Sequence, residues 1–238
     1  MVEFAPAQSH GQIEEVFPGV FFVTGTMQTV LMGAHWHFSR NMAIVRDGDA
    51  LTLINTVRLD EAGLAHLDSL GTVKHVLKIG ALHGLDDAFY KQRYGATLWA
   101  LPGMPHANGL EADEFLTPNG TMPFSDASVF VFEKTKLPEC IVRIDREGGI
   151  LVACDALQNW LGPDAFFSDE SRKMMTEMGF FQSANVGPLW MQVNEPAAQD
   201  FVRLRDMSFR HALCGHGSPL RDRAHEAYSE RFSQLFGI

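Results

Sequence analysis

The chain has 238 residues, enough for one large α/β domain or two small ones around a buried core. Hydrophobic residues make up 46% and charged residues 20%, a globular composition and not a disordered one. The formal net charge of −10 argues against a nucleic-acid backbone or an anionic membrane as the main partner, and no apolar run is long enough to span a bilayer.

The opening Met1-Val2-Glu3-Phe4 lacks the basic start of a secretory signal, and residues 1–15 read as a loose lead-in. Val16 to Gly25 and Asn41 to Asp47 carry the apolar runs of strands, and Asp47-Gly48-Asp49 is a hairpin turn into a third strand, Ala50 to Asn55. Between the first two strands, Gln28 to Arg40 reads as a loop that contains His35-Trp36-His37. Histidines two apart on extended chain face the same way, so these two can share a metal or simply pack within a loop. Asp60 to Leu70 is an amphipathic helix with Leu64, Leu67 and Leu70 on one face, Asp60 as its cap and Gly71 at its end. Val73 to Leu77 is a buried strand, and from Asp86 a helix places Phe89, Tyr90 and Tyr94 at helical spacing. The turn between them, Lys78-Ile79-Gly80-Ala81-Leu82-His83-Gly84, ends a strand just before a helix, a common place to build a site in a layered α/β fold.

Ala96 to Leu101 is a further strand, and residues 103–125, rich in Gly, Pro and Asn, form a long excursion. Ala127 to Phe132, Cys140 to Ile144 and Gly149 to Cys154 are strands, the last two joined by the turn Asp145-Arg146-Glu147-Gly148. Leu161 to Trp190 is rich in Met and Phe, with a helix over Ser171 to Gly179; it reads as core, as a subunit contact compatible with a homodimer, or as an adaptable apolar wall or lid over a site. Pro196 to Met207 is a helix, Phe209 to Cys214 a strand and Arg223 to Phe236 a terminal helix. Runs of strands on either side of helices suggest two packed sheets covered by helices. Cys140, Cys154 and Cys214 are odd in number, unclustered and flanked by apolar residues, which points to buried reduced thiols and a cytoplasmic protein. There is no CxxC pair for a thiolate zinc site, and no Gly-x-Gly-x-x-Gly, P-loop or Gly-x-Ser-x-Gly for nucleotide or serine-hydrolase chemistry.

Several stretches together resemble the metallo-β-lactamase superfamily. Its motif strand ends in HxHxDH; with His83 as the last histidine, Lys78 and Gly80 stand at the first two and Leu82 at the aspartate. Gly149 to Leu157 is similar to the strand ending in Gly-Asp-Ala-Leu, with Asp155 at the metal-bridging aspartate and Cys154 where glycine is usual. Cys214-Gly215-His216-Gly217 resembles the closing Gly-His-Gly, whose histidine is the last ligand, and Lys136 in Lys134 to Cys140 stands nearest to the remaining histidine. The third strand, which usually ends in aspartate, ends here in Asn55.

The resemblance implies a single domain over residues 1–238, a four-layer αββα sandwich of two mixed β-sheets flanked by helices. It also implies that one of the two family metal sites is stripped of all three histidines, while the other keeps His83, Asp155 and His216. Asp87, four residues after His83, can replace the lost carboxylate if helix begins at His83; alternatively it and Asp86 simply favour a helix N-terminus. Two His and an Asp are an adequate set for one divalent metal, zinc, iron or manganese, with positions left open for a small-molecule substrate. Asp155 is then partly ligand and partly base, while Lys78 and Lys136 supply positive charge to polarise a carbonyl or hold an anion. Asn159 and Trp160, just past the Asp155 strand, are candidates for orienting substrate. Two functions remain open at this point: a single-metal hydrolase of a small ester, lactone or thioester, or a metal-free descendant that binds a small ligand or regulates. An iron oxidoreductase fits the ligand types without further support.

Overall fold

The computed structural model describes residues 4–31, 33–107 and 109–238. Strand β1 (Glu14–Phe17) turns at Pro18-Gly19 into β2 (Val20–Leu31), which runs antiparallel to β3 (Ala34–Asp47) along their whole length, from Val20 opposite Val45 to Leu31 opposite Ala34. Two sequence expectations change here. Val16 to Gly25 is not one strand, because proline cannot continue the ladder and Gly19 takes the left-handed conformation (φ 70°) of a tight turn. Gln28 to Arg40 is not a loop: β-branched and aromatic residues continue both strands, so His35 and His37 lie on β3.

β4 (Ala50–Ile54) follows β3 through the Gly48 turn. Helix α1 (Glu61–Leu70) crosses to β5 (Thr72–Lys78), parallel to β4, and α2 (Asp87–Tyr94) crosses to β6 (Thr97–Ala100), parallel to β5. β7 (Glu114–Phe115) completes a mixed seven-stranded sheet in the order β1-β2-β3-β4-β5-β6-β7. α1 begins as expected, with the Asp60 carboxylate accepting from the Gly63 amide at 2.8 Å.

The second half supplies β8 (Ala127–Val131), β9 (Cys140–Ile144) and β10 (Ile150–Ala153), then β11 (Leu157–Gln158), α3 (Asp169–Glu177) and β12 (Asn185–Val186). After these come α4 (Pro188–Asn194), α5 (Ala198–Arg205), β13 (His211–Cys214) and α6 (Ala224–Phe236). β10 pairs parallel with β13 and antiparallel with β9, so the second sheet, β13-β10-β9-β8, is also mixed. A separate two-stranded ribbon joins β11 to β12, and α4 starts with proline at its first turn.

Alternation along each strand divides the core into layers. Ala43, Val45, Leu77 and Ala100 of the first sheet meet Val142, Val152 and Leu213 of the second in the central layer. Met42, Ile44, Val76 and Leu98, one residue out of phase, face Leu64 and Leu67 of α1 and Phe89 and Tyr90 of α2. On the far side, Ile141 and Leu151 lie under Trp190, Phe201 and Tyr228 of α4, α5 and α6. The molecule is a four-layer αββα sandwich. No helix among the described residues is long and apolar enough to cross a membrane.

Candidate metal centre

Strand register decides which residues meet. β10 and β13 are parallel neighbours with Ala153 opposite Cys214, so Asp155 and His216, each two residues further on, leave the sheet side by side. The loop after β5 reaches across from the other sheet, pinned by the Cys140 amide donating to the Ile79 carbonyl at 2.8 Å, and carries His83 over the same spot. His83 Nε2 lies 3.1 Å from His216 Nε2 and 3.5 Å from Asp155 Oδ2, and His216 Nε2 lies 3.1 Å from Asp155 Oδ1. All three side chains are about nine-tenths buried.

His216 Nδ1 lies 3.1 Å from the Ser39 carbonyl, which only accepts, so a proton on Nδ1 completes that contact and leaves Nε2 turned toward Asp155 and His83. Trp160 packs on the imidazole face with ring centroids 4.8 Å apart and donates its indole N–H to Ser39 Oγ. Burial by itself would raise the pKa of Asp155, but the adjacent His83 and His216 outweigh it and hold the carboxyl far below the usual range. An ionised carboxylate and two imidazole Nε2 atoms therefore face one another, an arrangement that either a shared proton or a bound cation satisfies. The separations of 3.1 to 3.5 Å are also those of a metal polyhedron, since tetrahedral bonds of about 2.0–2.1 Å give edges of roughly 3.3 Å. The donor set fits one divalent metal, and the Ser39 carbonyl is the outer partner that a ligating histidine commonly uses.

The Sγ of Cys154 is also near, grouped with His83 and Asp155 within 4.8 Å. Burial first, then the Asp155 and Glu139 carboxyls, push its thiol well up, so it stays protonated and is a poorer ligand than His216. Its place requires glycine at 80: a Cβ on Gly80 would lie 2.4 Å from Cys154 Sγ. A side chain at 80 and a cysteine at 154 exclude each other.

Lys78, 5% exposed, and Asp87, 1% exposed, lie beside this group. Asp87 Oδ1 accepts from Thr56 Oγ1 at 2.6 Å and its Oδ2 has no hydrogen-bond partner. The structure does not bring Asp87 into the converging set, because its helix begins at Asp87 and not at His83, which turns the carboxylate toward Thr56 and Lys78. A Cβ on Gly84 (φ 100°) would stand 2.5 Å from Asp87 Oδ2 and 2.9 Å from Lys78 Nζ, so only glycine passes between them. Burial pushes the Asp87 carboxyl up, and it pushes the Lys78 ammonium down against the pull of Asp87 and Cys154. Glu139, wholly buried beneath, accepts from the Ala156 amide at 2.6 Å; burial and then the charge of Asp155 push it well up.

Other expected residues fall elsewhere. The ammonium of Lys136 is exposed and pairs with Glu195 at 2.6 Å. The side chain of Asn159 is engaged by the Ser218 carbonyl, Ser183 Oγ and the Ala184 amide, which ties loops together and leaves little for a substrate. On β3 it is Phe38 that packs against His216, at 5.7 Å, while His35 and His37 line a separate cleft with Ser168 and Glu170. The Met- and Phe-rich segment covers the cluster: Phe167, Met175 and Phe180 pack with Trp36 and Trp160. It is fastened by the His37 amide donating to Ser171 Oγ at 2.7 Å and the Ser168 amide donating to the His37 carbonyl at 3.1 Å. Under this cover a cavity of about 60 Å³ touches Asp155 and His216, with Leu31, Leu82, Trp160 and Phe180 among its walls.

No family model matches the sequence, and no curated protein does. Solved structures do match in three dimensions. The DIM-1 metallo-β-lactamase exposed to ceftazidime is 16% identical, with 98% of this chain and 99% of that one covered at a TM-score of 0.60. A metallo-β-lactamase from Erythrobacter litoralis is 16% identical over 94% and 92% at 0.57, and the FIM-1 enzyme from Pseudomonas aeruginosa in its mono-zinc form is 15% identical over 96% and 97% at 0.60. At such identities the likeness is one of architecture: the chain is built on the metallo-β-lactamase fold.

Proposed function

We propose that His83, Asp155 and His216 hold one divalent metal and that the protein is a hydrolase of a small ester, lactone or thioester. The observation that carries this reading is the convergence of the two Nε2 atoms and one carboxylate at 3.1 to 3.5 Å. A divalent metal bound there would act as a Lewis acid on a substrate carbonyl. Asp155, held weakly basic, serves as ligand rather than as proton acceptor. Ser39 and Trp160 fix the orientation of His216. Lys78 brings a buried positive charge to the place where the family has its first histidine, suited to a carbonyl oxygen that gains negative charge. The apolar cover excludes water and selects a small or apolar acyl group.

A second reading, a metal-free site that binds a small ligand or regulates, is favoured by the same cavity: about 60 Å³ is far below the usual size of a substrate pocket. Elemental analysis of protein purified without added metal or chelator separates the two. About one equivalent of zinc, iron or manganese, lost in both His83→Ala and His216→Ala, with turnover in an ester and lactone panel that follows metal content, supports the hydrolase. No metal and no uptake on titration would leave only the ligand-binding reading.

A further inference from the structure

A larger cavity, of about 630 Å³, lies outside the first sheet, within the size range of small-molecule sites. Strand β3 separates it from the metal-site residues. The Ser39 hydroxyl, with Trp160, faces His216, whereas Arg40, one residue on, points through the opposite face into this cavity. The start of α2 divides in the same way: Asp87 turns toward Lys78, and Asp86 turns outward to accept from the Arg40 guanidinium and the Arg58 amide.

The walls are mostly apolar, with Phe4, Val57, Leu85, Ala88 and Leu110 among them. Three cations reach the cavity, and two are neutralised, Arg40 by Asp86 and Lys91 by Asp113. Arg58 is the exception. Among the described residues no carboxylate lies within ion-pair distance of its guanidinium, and its Nε is buried without a partner. The group instead stacks on Phe89, 3.3 Å from the ring centroid, with the Phe4 ring centroid 5.9 Å away. Stacking fixes the plane of the guanidinium, so its edge is preorganised for a two-pronged contact with a planar anion. In a chain of net charge −10, a fixed cation with no acid paired to it among the described residues, at the wall of an apolar cavity, asks for an anion.

We infer that this cavity binds a small carboxylic acid with an apolar body, its carboxylate on Arg58 and its body against Leu85, Ala88 and Leu110. A singly charged carboxylate balances Arg58; a phosphate dianion would leave one charge unmatched close to Asp86. The inference does not depend on the metal reading, because the two sites lie on opposite faces of the sheet.

Isothermal titration of the full chain with decanoate and with 2-naphthoate tests it. The expected result is saturable binding of at least one acid, weakened roughly ten- to a hundredfold in Arg58→Met, with decanol weaker than decanoate. Leu85 is 58% exposed, so Leu85→Trp can fill the cavity without disturbing the core, and it should abolish binding. His216→Ala, across the sheet, should leave binding unchanged. Urea midpoints confirm that each variant is folded, and Leu85→Trp stands in if Arg58→Met is not. No heat from either acid at millimolar concentration, equal affinity in wild type and Arg58→Met, or loss of binding in His216→Ala would overturn the assignment.

Discussion

Lys78 and Asp87 are two buried, oppositely charged groups held apart by a glycine, and their coupling can be measured. Both lie within 3 Å of the point where a Gly84 Cβ would stand, so they are roughly 5 Å apart. At an effective dielectric constant of about 20, two unit charges at that distance attract by about 3 kcal/mol. Lys78→Met, Asp87→Asn and the double variant form a mutant cycle, read by urea unfolding at about pH 4 and about pH 7.5. Asn at 87 keeps an oxygen for the Thr56 hydroxyl, so the cycle isolates the charge. The folded pKa of Asp87 is raised by burial above its unfolded value, so the native state binds the extra proton. Stability from this group is full at low pH and falls as pH rises through the window between the two values. Lys78 holds that folded value down, so in Lys78→Met the window extends upward and stability keeps falling to higher pH than in wild type. The expected coupling is about 3 kcal/mol near neutrality and close to zero at about pH 4. A coupling below about 1 kcal/mol at the higher pH, or the same value at both, would refute the placement of the two charges.

Other outcomes follow from single contacts. Glu139 is also raised by burial and by Asp155, so its contribution is lost as pH rises; Glu139→Gln, which keeps an acceptor for the Ala156 amide, should match wild type near pH 4 and exceed it by a margin that grows as pH rises toward about 8. An unchanged slope of stability against pH would show that Glu139 is not protonated in the native state. Gly217→Ala places a Cβ 2.2 Å from the Asn159 backbone at φ 88°, where neither side can yield, and should cost about 3 kcal/mol or more by urea unfolding; a loss under about 1 kcal/mol would contradict that approach. Ser171→Ala removes the acceptor of the half-buried His37 amide and should lower stability by about 1 kcal/mol by urea unfolding; an unchanged midpoint would show that the contact contributes nothing.

The layered fold was legible because its signals are local. Helix α1 announces itself by Asp60 and the leucine spacing, and β10 by a run of apolar residues. The nearness of His83, Asp155 and His216 was also within reach, because each lies in the loop that follows a strand. What escaped depends on partners far along the chain. Lys136 turns to Glu195, 59 residues away, and Arg40 to Asp86, 46 residues away, and neither pairing leaves a local pattern. The exclusion between Gly80 and Cys154 is visible only where two sheets meet. The long β2–β3 hairpin was missed because polar residues and paired histidines interrupt its apolar alternation. Asp87 shows how the start of a helix decides a role: a start at His83 would have aimed it at His83 and Asp155, and the later start aims it at Thr56.

The fastening of the cover to His37 has a consequence beyond access to the cavity. The β3 ladder to β4 begins only at Ala43, so the stretch from Ala34 to Arg40 pairs with β2 on one side and would otherwise present unpaired amides and carbonyls on the other. Ser168 and Ser171 satisfy both backbone groups of His37 from a helix that cannot itself add to a sheet. The α3 segment is thus a guard on an open strand edge, and lifting it would expose a template for pairing with a second chain.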